Sequence, residues 1–502
     1  MQISKSVIDN LKLSAAADVV CGTPLDRFPG LVMDLCLEPA KSALVDSVVA
    51  AASAGHVPRV ETLTLPRRGL GGPRPVTVLS PASRVLYTAL VDSLSDELPS
   101  SPRDSDAWAK HNGFGTPGDG HEVDEYLVET DIASCYEYID HSQLADQLIL
   151  CTNRVEETGY LVNYLGEIHG RDRGLPQLMA SSDVLADCYL QQMELDLLRE
   201  EARVSRYADD FKMLAPDWPR ANQLIENAAE AARRLGLILS TEKTTIRRAD
   251  TVAASAIEES DFLRKYLNGQ ATGKAFDEWV EWGYGGAGLI APEGPELVQI
   301  GMRQMLYDWN EQQADANRHF GRFLSLALII LQGSTGDRLS DDLLADVVFR
   351  YPLYLPNVVE YVAKTVDPEE AWETTVRLAA MARQSPWAKI WVVNLAGRQP
   401  SGSETCWTED VGKWMRGLLS DRHEVVRAEA AWYLAGRNGI DQQALSALYR
   451  EACSITRPAL AAACGRMGVA STSGLAKALI QESKLSKAAF EWGANFAAAA
   501  SS

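Results

Sequence analysis

Three carboxylates are the residues of this chain whose types and spacing could do chemistry. Asp131 lies in the segment Thr-Asp-Ile-Ala-Ser-Cys-Tyr, and Asp209 and Asp210 are adjacent in Arg-Tyr-Ala-Asp-Asp-Phe. Acids from two separate strands can hold two divalent cations over a nucleoside triphosphate, one activating the attacking oxygen and the other stabilising the leaving oxygen. The pattern predicts phosphoryl transfer with two Mg²⁺ ions, and Asp131, Asp209 and Asp210 as the catalytic metal ligands.

The elements around these acids must bring them together. Residues 126–131 are rich in β-branched and aromatic side chains, which predicts a strand that ends at Asp131. Residues 204–214 predict a hairpin with Asp209 and Asp210 at its tip. The remaining predicted elements are a long helix over 180–198, an Ala-rich helix over 222–235 and a strand at 237–239. The order strand, helix, hairpin, helix, strand is that of an α+β palm domain.

Beyond about residue 290 the strand signals fade, and helical segments rich in Leu, Ala and Trp follow one another. The segment 421–436 resembles the second half of a HEAT repeat, and 457–468 resembles a looser second copy. Their spacing is shorter than the HEAT range. The C-terminal part is therefore predicted to be an all-α region with HEAT-like repeats.

Composition narrows the class of protein. The length of 502 residues, 46% of them apolar, predicts two or three domains. The eight cysteines include no Cys-x-x-Cys pair, which predicts a reduced, cytoplasmic protein. We find no apolar run of signal-peptide or membrane-spanning length, so no membrane contact is expected. The net charge of −20 is unusual for a protein that grips a nucleic-acid backbone. Either basic residues line a local channel, or the protein does not hold long duplexes tightly.

Several motifs in order resemble the reverse transcriptases of bacteria, the group that includes the retron and group II intron enzymes. The similar segments are the basic loop 67–74, Asn-Gly-Phe at 112–114, the first catalytic motif at 131–141, Gly-Leu-Pro-Gln at 174–177 with the helix to 190, and the lysine motif at 236–244. The resemblance implies a right-hand polymerase with a fingers–palm domain. Its boundaries are predicted as 1–125 for the N-terminal helices and fingers, 126–260 for the palm and 261–502 for the helical region.

The resemblance also implies roles for single residues. Five would bind the nucleotide: Arg67, Arg74, Tyr136, Gln177 and Lys243. Tyr136 resembles the steric gate that excludes a ribose 2′-hydroxyl, which predicts dNTPs as substrates; the alternative is an aromatic residue of the palm core. Lys243 is either a general acid for the pyrophosphate leaving group or a solvated turn lysine.

Two positions depart from the family pattern. Leu178 stands where most relatives have glycine, and its bulk would press on the nucleotide or the template path. Gly115 stands where relatives have an arginine, which removes one basic contact. The Leu178 departure argues against ordinary templated extension.

A reverse transcriptase palm followed by a helical C-terminus resembles the abortive-infection and related unassigned-group enzymes. That likeness implies antiphage defence, a homo-oligomer, and DNA synthesis from a protein hydroxyl that leaves the DNA covalently attached to protein. One alternative is a retron-like enzyme that copies a dedicated non-coding RNA as template. Another is an inactive, polymerase-derived scaffold that only binds nucleic acid.

Overall fold

The computed structural model describes most of the chain: residues 2–55, 57–66, 72–99, 102–116, 125–266, 280–283, 286–289, 295–312, 320–399 and 409–500. The fold divides into two compact units built from interleaved segments. The first, called the helical unit below, comprises residues 1–93, 176–181 and 338–502. The second, called the palm unit, comprises residues 94–175 and 182–337.

The elements are numbered along the chain. Helices α1 to α6 are Lys5–Asn10, Leu13–Gly22, Val32–Leu35, Lys41–Ala54, Pro81–Ser95 and Ser105–Gly113, and strands β1 and β2 are Val60–Leu65 and Arg74–Leu79. Helices α7 to α12 are Cys135–Tyr138, His141–Thr152, Val155–His169, Ala180–Arg199, Trp218–Arg234 and Ala249–Tyr266. Strands β3 to β6 are Tyr126–Asp131, Arg203–Tyr207, Asp210–Ala215 and Thr245–Arg248.

The C-terminal elements begin with a short antiparallel pair, β7 and β8, at Val280–Gly283 and Gly286–Leu289. Helices α13 to α24 follow: Pro295–Gln312, Phe320–Ile330, Asp341–Arg350, Leu355–Thr365, Pro368–Ala379, Pro386–Gly397, Glu409–Leu418, Glu424–Ala435, Gln442–Glu451, Arg457–Arg466, Gly474–Glu482 and Lys484–Ala500. The predicted helical C-terminal region is confirmed, although β7 and β8 lie inside the range 261–502 that was predicted to be all-α. Among the described residues, no helix is both long and apolar enough to cross a bilayer.

A four-stranded antiparallel sheet in the order β4-β5-β3-β6 forms the centre of the palm unit. Its strands are half-buried, and side chains alternate between two faces. The face opposite Asp131 carries apolar residues such as Val128, Phe211 and Met213, all fully buried. Helix α11 packs against β3 and β5, and its small buried residues Ala221 and Ala228 allow close approach.

The fourth strand of this sheet differs from the one that the sequence predicts. Residues 237–239 were expected to form it, but Leu239 makes only an isolated bridge to Ile132. The edge strand is β6, which pairs with β3 from Glu129↔Thr245 to Tyr126↔Arg248. A run of three apolar residues indicates burial, but it does not identify which segment completes the backbone ladder.

The helical unit joins the N-terminal segment to the C-terminal helices through directed hydrogen bonds. The indole N–H groups of Trp387 and Trp391 both donate to the carbonyl oxygen of Arg27, at 2.7 and 3.0 Å. The Glu61 carboxylate of β1 accepts from the backbone N–H groups of Glu424 and Val425, at 2.7 and 2.9 Å. These two N–H groups belong to the first turn of α20, where a carboxylate is stabilised by the orphan donors and the helix dipole.

Helix α20 also places a carboxyl group in the interior of this unit. Glu429 is 8% exposed, and its Oε1 accepts a hydrogen bond of 2.8 Å from the Val32 backbone N–H. The nearby Asp34 carboxylate is paired with the Arg84 guanidinium, and both are buried. Burial, with a smaller effect from Asp34, raises the pKa of Glu429 from 4.5 to about 8. Glu429 is therefore largely protonated in the folded chain at neutral pH.

We expect Glu429→Gln to stabilise the chain increasingly as the pH rises. The pKa of Glu429 is higher in the folded chain than in the unfolded chain. The free energy of unfolding of the wild type therefore falls as the pH rises from 4.5 to about 8. Glutamine keeps an oxygen acceptor for Val32 and never ionises. The stability gain of the variant should grow by roughly 3 kcal/mol between pH 5 and pH 8. The melting temperatures of both proteins across this range measure it. Glu369→Gln, at an exposed position of α17, is the matched control, and a gain independent of pH would contradict the prediction.

Candidate active site

The backbone of the palm sheet brings two of the three predicted acids face to face. Asp131 is the last residue of β3, and it lies directly opposite Asp210, the first residue of β5. Directly opposed side chains on adjacent antiparallel strands lie on the same face of a sheet. A two-residue turn, Ala208-Asp209, connects β4 to β5, with Ala208 in the left-handed region at φ +54°. The backbone N–H of Ile132 donates to the Asp209 carbonyl at 3.2 Å, which ties this turn to the end of β3.

The electrostatics of this arrangement are unfavourable without a cation. Asp131 is 5% exposed, and burial raises its pKa to about 7. The Lys243 ammonium opposes this shift, and a hydrogen bond and charge repulsion from Asp210 add to it. Burial, followed by the Asp209 and Asp131 charges, also raises the pKa of the Cys135 thiol well above its ordinary value. Asp131, at the end of β3, and Asp209, in the turn between β4 and β5, therefore both act on the start of α7.

A turn after α11 brings Lys243 to the same place. The Ser240 backbone N–H donates to the Asp131 carbonyl at 2.7 Å, and the hydroxyl groups of Thr130 and Thr244 lie 2.7 Å apart. These contacts hold residues 240–244 against β3. The Lys243 Nζ then forms an ion pair and a hydrogen bond with Asp131 Oδ2, while its side chain remains 60% exposed.

The donor set at this position fits a hard divalent cation. Carboxylate oxygens are the ligands that Mg²⁺ prefers, and Asp131 and Asp210 are adjacent. Within the described part of the chain, no group of three or more His, Cys, Asp or Glu side chains is placed to hold a metal ion. Mg²⁺ in nucleotide sites is usually bound by one or two carboxylates together with substrate phosphates. Such a site becomes complete only when the triphosphate supplies its oxygens.

Tyr136 lies in α7, five residues after Asp131, and its ring is partly buried. Its hydroxyl donates to Asp183 Oδ1 at 2.5 Å and accepts from Arg103 Nη1 at 3.0 Å. Arg103 also forms ion pairs with Asp183 and Asp187. The sequence reasoning missed these three partners. The only local signal was an Asp pair four residues apart on α10, a spacing that places both carboxylates on one helix face.

The other predicted nucleotide-binding residues belong to the helical unit or lie outside the described residues. Arg74 begins β2 and is exposed, whereas Arg67 lies outside the described residues. Gln177 is half-buried in the segment 176–181. Leu178, next to it, has a backbone φ of +63°. Left-handed backbone is strained for a branched residue and ordinary for glycine. The position therefore has the conformation that a glycine would adopt without strain, and Leu178 bears the cost.

Comparison with known proteins identifies the domain that contains this site. Residues 65–271 match the family described as "Reverse transcriptase (RNA-dependent DNA polymerase)". The match covers less than half of the chain and contains Asp131, Asp209 and Asp210. This part of the chain, residues 65–271, is a reverse transcriptase domain.

Among solved structures, the chain is similar to the telomerase from Candida albicans in complex with a TWJ fragment of telomeric RNA. The two sequences are 12% identical, and the TM-score is 0.30. The alignment covers 70% of this chain and 63% of the telomerase chain. No curated protein matches the chain.

The segment that leads into β3 explains one departure from the family pattern. Gly115, which stands where relatives have an arginine, has a φ of +77°. A Cβ atom there would lie 2.9 Å from Leu127 Cδ1 and 3.2 Å from Leu214 Cδ2. The backbone conformation and the two leucines of the palm sheet therefore favour glycine at this position.

We predict that Gly115→Ala destabilises the chain by about 1–3 kcal/mol. The variant forces left-handed backbone on a residue with a Cβ and displaces the Leu127 side chain. Gly113→Ala is the matched control, because Gly113 ends α6 with no atom within 4 Å of its Cβ position. Thermal melting of both variants measures the difference. Equal melting temperatures would show that the sheet accommodates the methyl group without strain.

Proposed function

We propose that this chain is a reverse transcriptase that adds dNTPs by two-metal phosphoryl transfer. The observation that carries the proposal is the position of Asp131 directly opposite Asp210, within a domain that matches the reverse transcriptase family. Burial and the neighbouring Asp210 raise the pKa of Asp131, which means that its ionised form is unfavourable there. A divalent cation bound to both carboxylates would stabilise the ionised form.

Four residues of the palm unit have proposed roles in the reaction. Asp131 and Asp209 are proposed as the principal ligands of Mg²⁺, and Asp210 supports them. When bound, the two ions would activate the attacking 3′-hydroxyl and neutralise charge on the pyrophosphate leaving group. The oxygen–phosphorus bond to the α-phosphate forms as the bond to pyrophosphate breaks. Lys243, whose ammonium lies beside Asp131, is proposed to donate a proton to that pyrophosphate.

The nucleotide is proposed to be recognised by four further residues. Tyr136 would exclude a 2′-hydroxyl, since it lies in α7, which begins four residues after Asp131. Gln177 would support the base, and Arg67 and Arg74 would contact the triphosphate. The preferred substrate is therefore a dNTP, and RNA is the proposed template.

The test of the activity is incorporation of labelled dNTPs by the purified full chain with Mg²⁺. Asp209→Asn should reduce incorporation by about 100-fold or more, since the loss of a metal ligand removes several kcal/mol of transition-state stabilisation. Asp146→Asn, at an exposed position of α8, is the matched control and should be fully active. Absence of product from the wild type under all template conditions would favour the inactive scaffold instead.

The same reaction, run without added template or primer, separates two modes of synthesis. Label that migrates with the protein, and is sensitive to both DNase and protease, indicates DNA attached to a protein hydroxyl. Free DNA that disappears after RNase pretreatment indicates a co-purified RNA template, as in a retron-like enzyme. The net charge of −20 favours the first mode, since such an enzyme need not hold a long duplex.

We propose antiphage defence as the biological role of this cytoplasmic enzyme, and a homo-oligomer as its form. The proposal rests on the combination of a reverse transcriptase domain with consecutive C-terminal helices, which we interpret as HEAT-like repeats that bind partners. Phage plating on cells with the wild-type gene should fall for at least some phages of a broad panel. Cells with Asp209→Asn should plate phage like cells without the gene. Full protection by Asp209→Asn would mean that synthesis is not needed for defence.

A further inference from the structure

A network of charged side chains surrounds the Tyr136 hydroxyl. Arg103 donates to this hydroxyl at 3.0 Å, and the hydroxyl donates to Asp183 at 2.5 Å. Arg103 also binds Asp187 in a bidentate manner, with Nε and Nη2 at 3.1 and 2.9 Å from the two carboxylate oxygens. A second guanidinium, that of Arg206, reaches Asp187 Oδ1 at 3.0 Å. Four side chains therefore surround one phenol: Arg103 and Asp183 contact its hydroxyl, and Asp187 and Arg206 hold Arg103 in place.

Burial of these groups is costly, which makes their arrangement informative. The side chains of Asp187 and Arg206 are 6% and 5% exposed, and that of Arg103 is 19% exposed. Buried ion pairs seldom stabilise a fold more than apolar residues of the same shape would. Bidentate guanidinium–carboxylate pairs do, however, impose a defined geometry on both partners. This network therefore fixes the position of the Tyr136 hydroxyl.

The network extends to the turn that carries the catalytic acids. The Tyr207 hydroxyl donates to the Arg103 carbonyl at 2.9 Å. Arg206 donates to the Ala208 carbonyl at 3.2 Å, within the turn before Asp210. The phenol of Tyr136 and the backbone beside Asp209 are therefore connected through Arg103, Asp187 and Arg206. The ring and the acids keep a fixed relation to each other.

We infer that Asp183 and Arg103 are positioning residues that set the selectivity for deoxyribonucleotides through the Tyr136 hydroxyl. This inference rests on the proposed function, in which Tyr136 excludes the 2′-hydroxyl. A ring excludes an extra hydroxyl only if it cannot turn aside, and an anchored phenol oxygen fixes both side-chain torsions. Displacements of about 1 Å at such a site change rates substantially.

The measurement is the ratio of kcat/KM for dNTP to that for rNTP, with the same base. Asp183→Ala and Tyr136→Phe should each lower this ratio about tenfold, the effect expected from one lost hydrogen bond to a charged group. Asp183→Asn retains an acceptor oxygen and should retain most of the selectivity. Asp183→Ala should have no further effect on the ratio in the Tyr136→Phe background, because the hydroxyl that Asp183 binds is already absent there.

Controls separate this role from a structural one. General destabilisation lowers the incorporation of both substrates together and leaves their ratio unchanged. Tyr136→Ala, which removes the ring, sets the lower limit of selectivity, and Asp146→Ala on α8 should leave the ratio at the wild-type value. The Asp183 side chain is 38% exposed, so its replacement by alanine should be tolerated by the fold. If Asp183→Ala does not fold, Tyr136→Phe gives the same test, because it removes a single oxygen atom.

The outcomes are distinct. A lower ratio in Asp183→Ala and Tyr136→Phe, without further loss in the double variant, supports the inference. A wild-type ratio in both variants with intact dNTP incorporation overturns it and leaves the proposed polymerase activity standing. A wild-type enzyme that incorporates neither dNTP nor rNTP rejects the proposed function, and the inference with it.

Discussion

The juxtaposition of Asp131 and Asp210 is the constraint on which the rest of the palm unit depends. Two carboxylates opposite each other on adjacent strands repel, and burial increases the cost of ionising Asp131. The structure offsets this with Lys243, which the Ser240 and Thr244 contacts hold against β3. The two carboxylates repel each other in the protein alone, and a divalent cation bound between them, as proposed, would offset this repulsion.

A backbone that tolerates this repulsion has to be rigid. The antiparallel ladder fixes β3 against β5 over six residue pairs, from Tyr126↔Ala215 to Asp131↔Asp210. Helix α11 closes the opposite face with small residues, and the charge network of Arg103 and Arg206 holds the 208–209 turn. The acids are therefore fixed on one side by apolar packing and on the other by directed polar contacts.

In the helical unit, directed polar contacts join segments that are distant in sequence. Glu61 stabilises the first turn of α20, and the Arg27 carbonyl receives two indole N–H groups. These contacts connect residues that are more than 350 positions apart in sequence. The N-terminal segment, which contains the β1-β2 hairpin, is thus part of the same compact unit as the C-terminal helices. Arg67, which is proposed to contact the nucleotide, lies in sequence between the two strands of this hairpin and outside the described residues, and Arg74 begins the second strand.

The sequence by itself determined the local elements of the candidate site. β-Branched and aromatic content predicted the strand that ends at Asp131, and helical periodicity predicted α10. The hairpin with Asp209 and Asp210 at its tip was also predicted from the sequence. These signals are local, because strands and helices depend on neighbouring side chains. The motif order predicted the reverse transcriptase domain that the family match confirms.

Only the tertiary structure decided which distant groups meet. The fourth strand is 245–248 rather than 237–239, and the hydrophobicity of 237–239 did not reveal which segment pairs with β3. Arg103 forms a hydrogen bond with Asp187, 84 positions later in the sequence, and Glu61 accepts one from the first turn of α20, 363 positions later. Such pairings leave no periodic trace in a single sequence. They depend on where the chain folds back, and that is set by the packing of the whole unit.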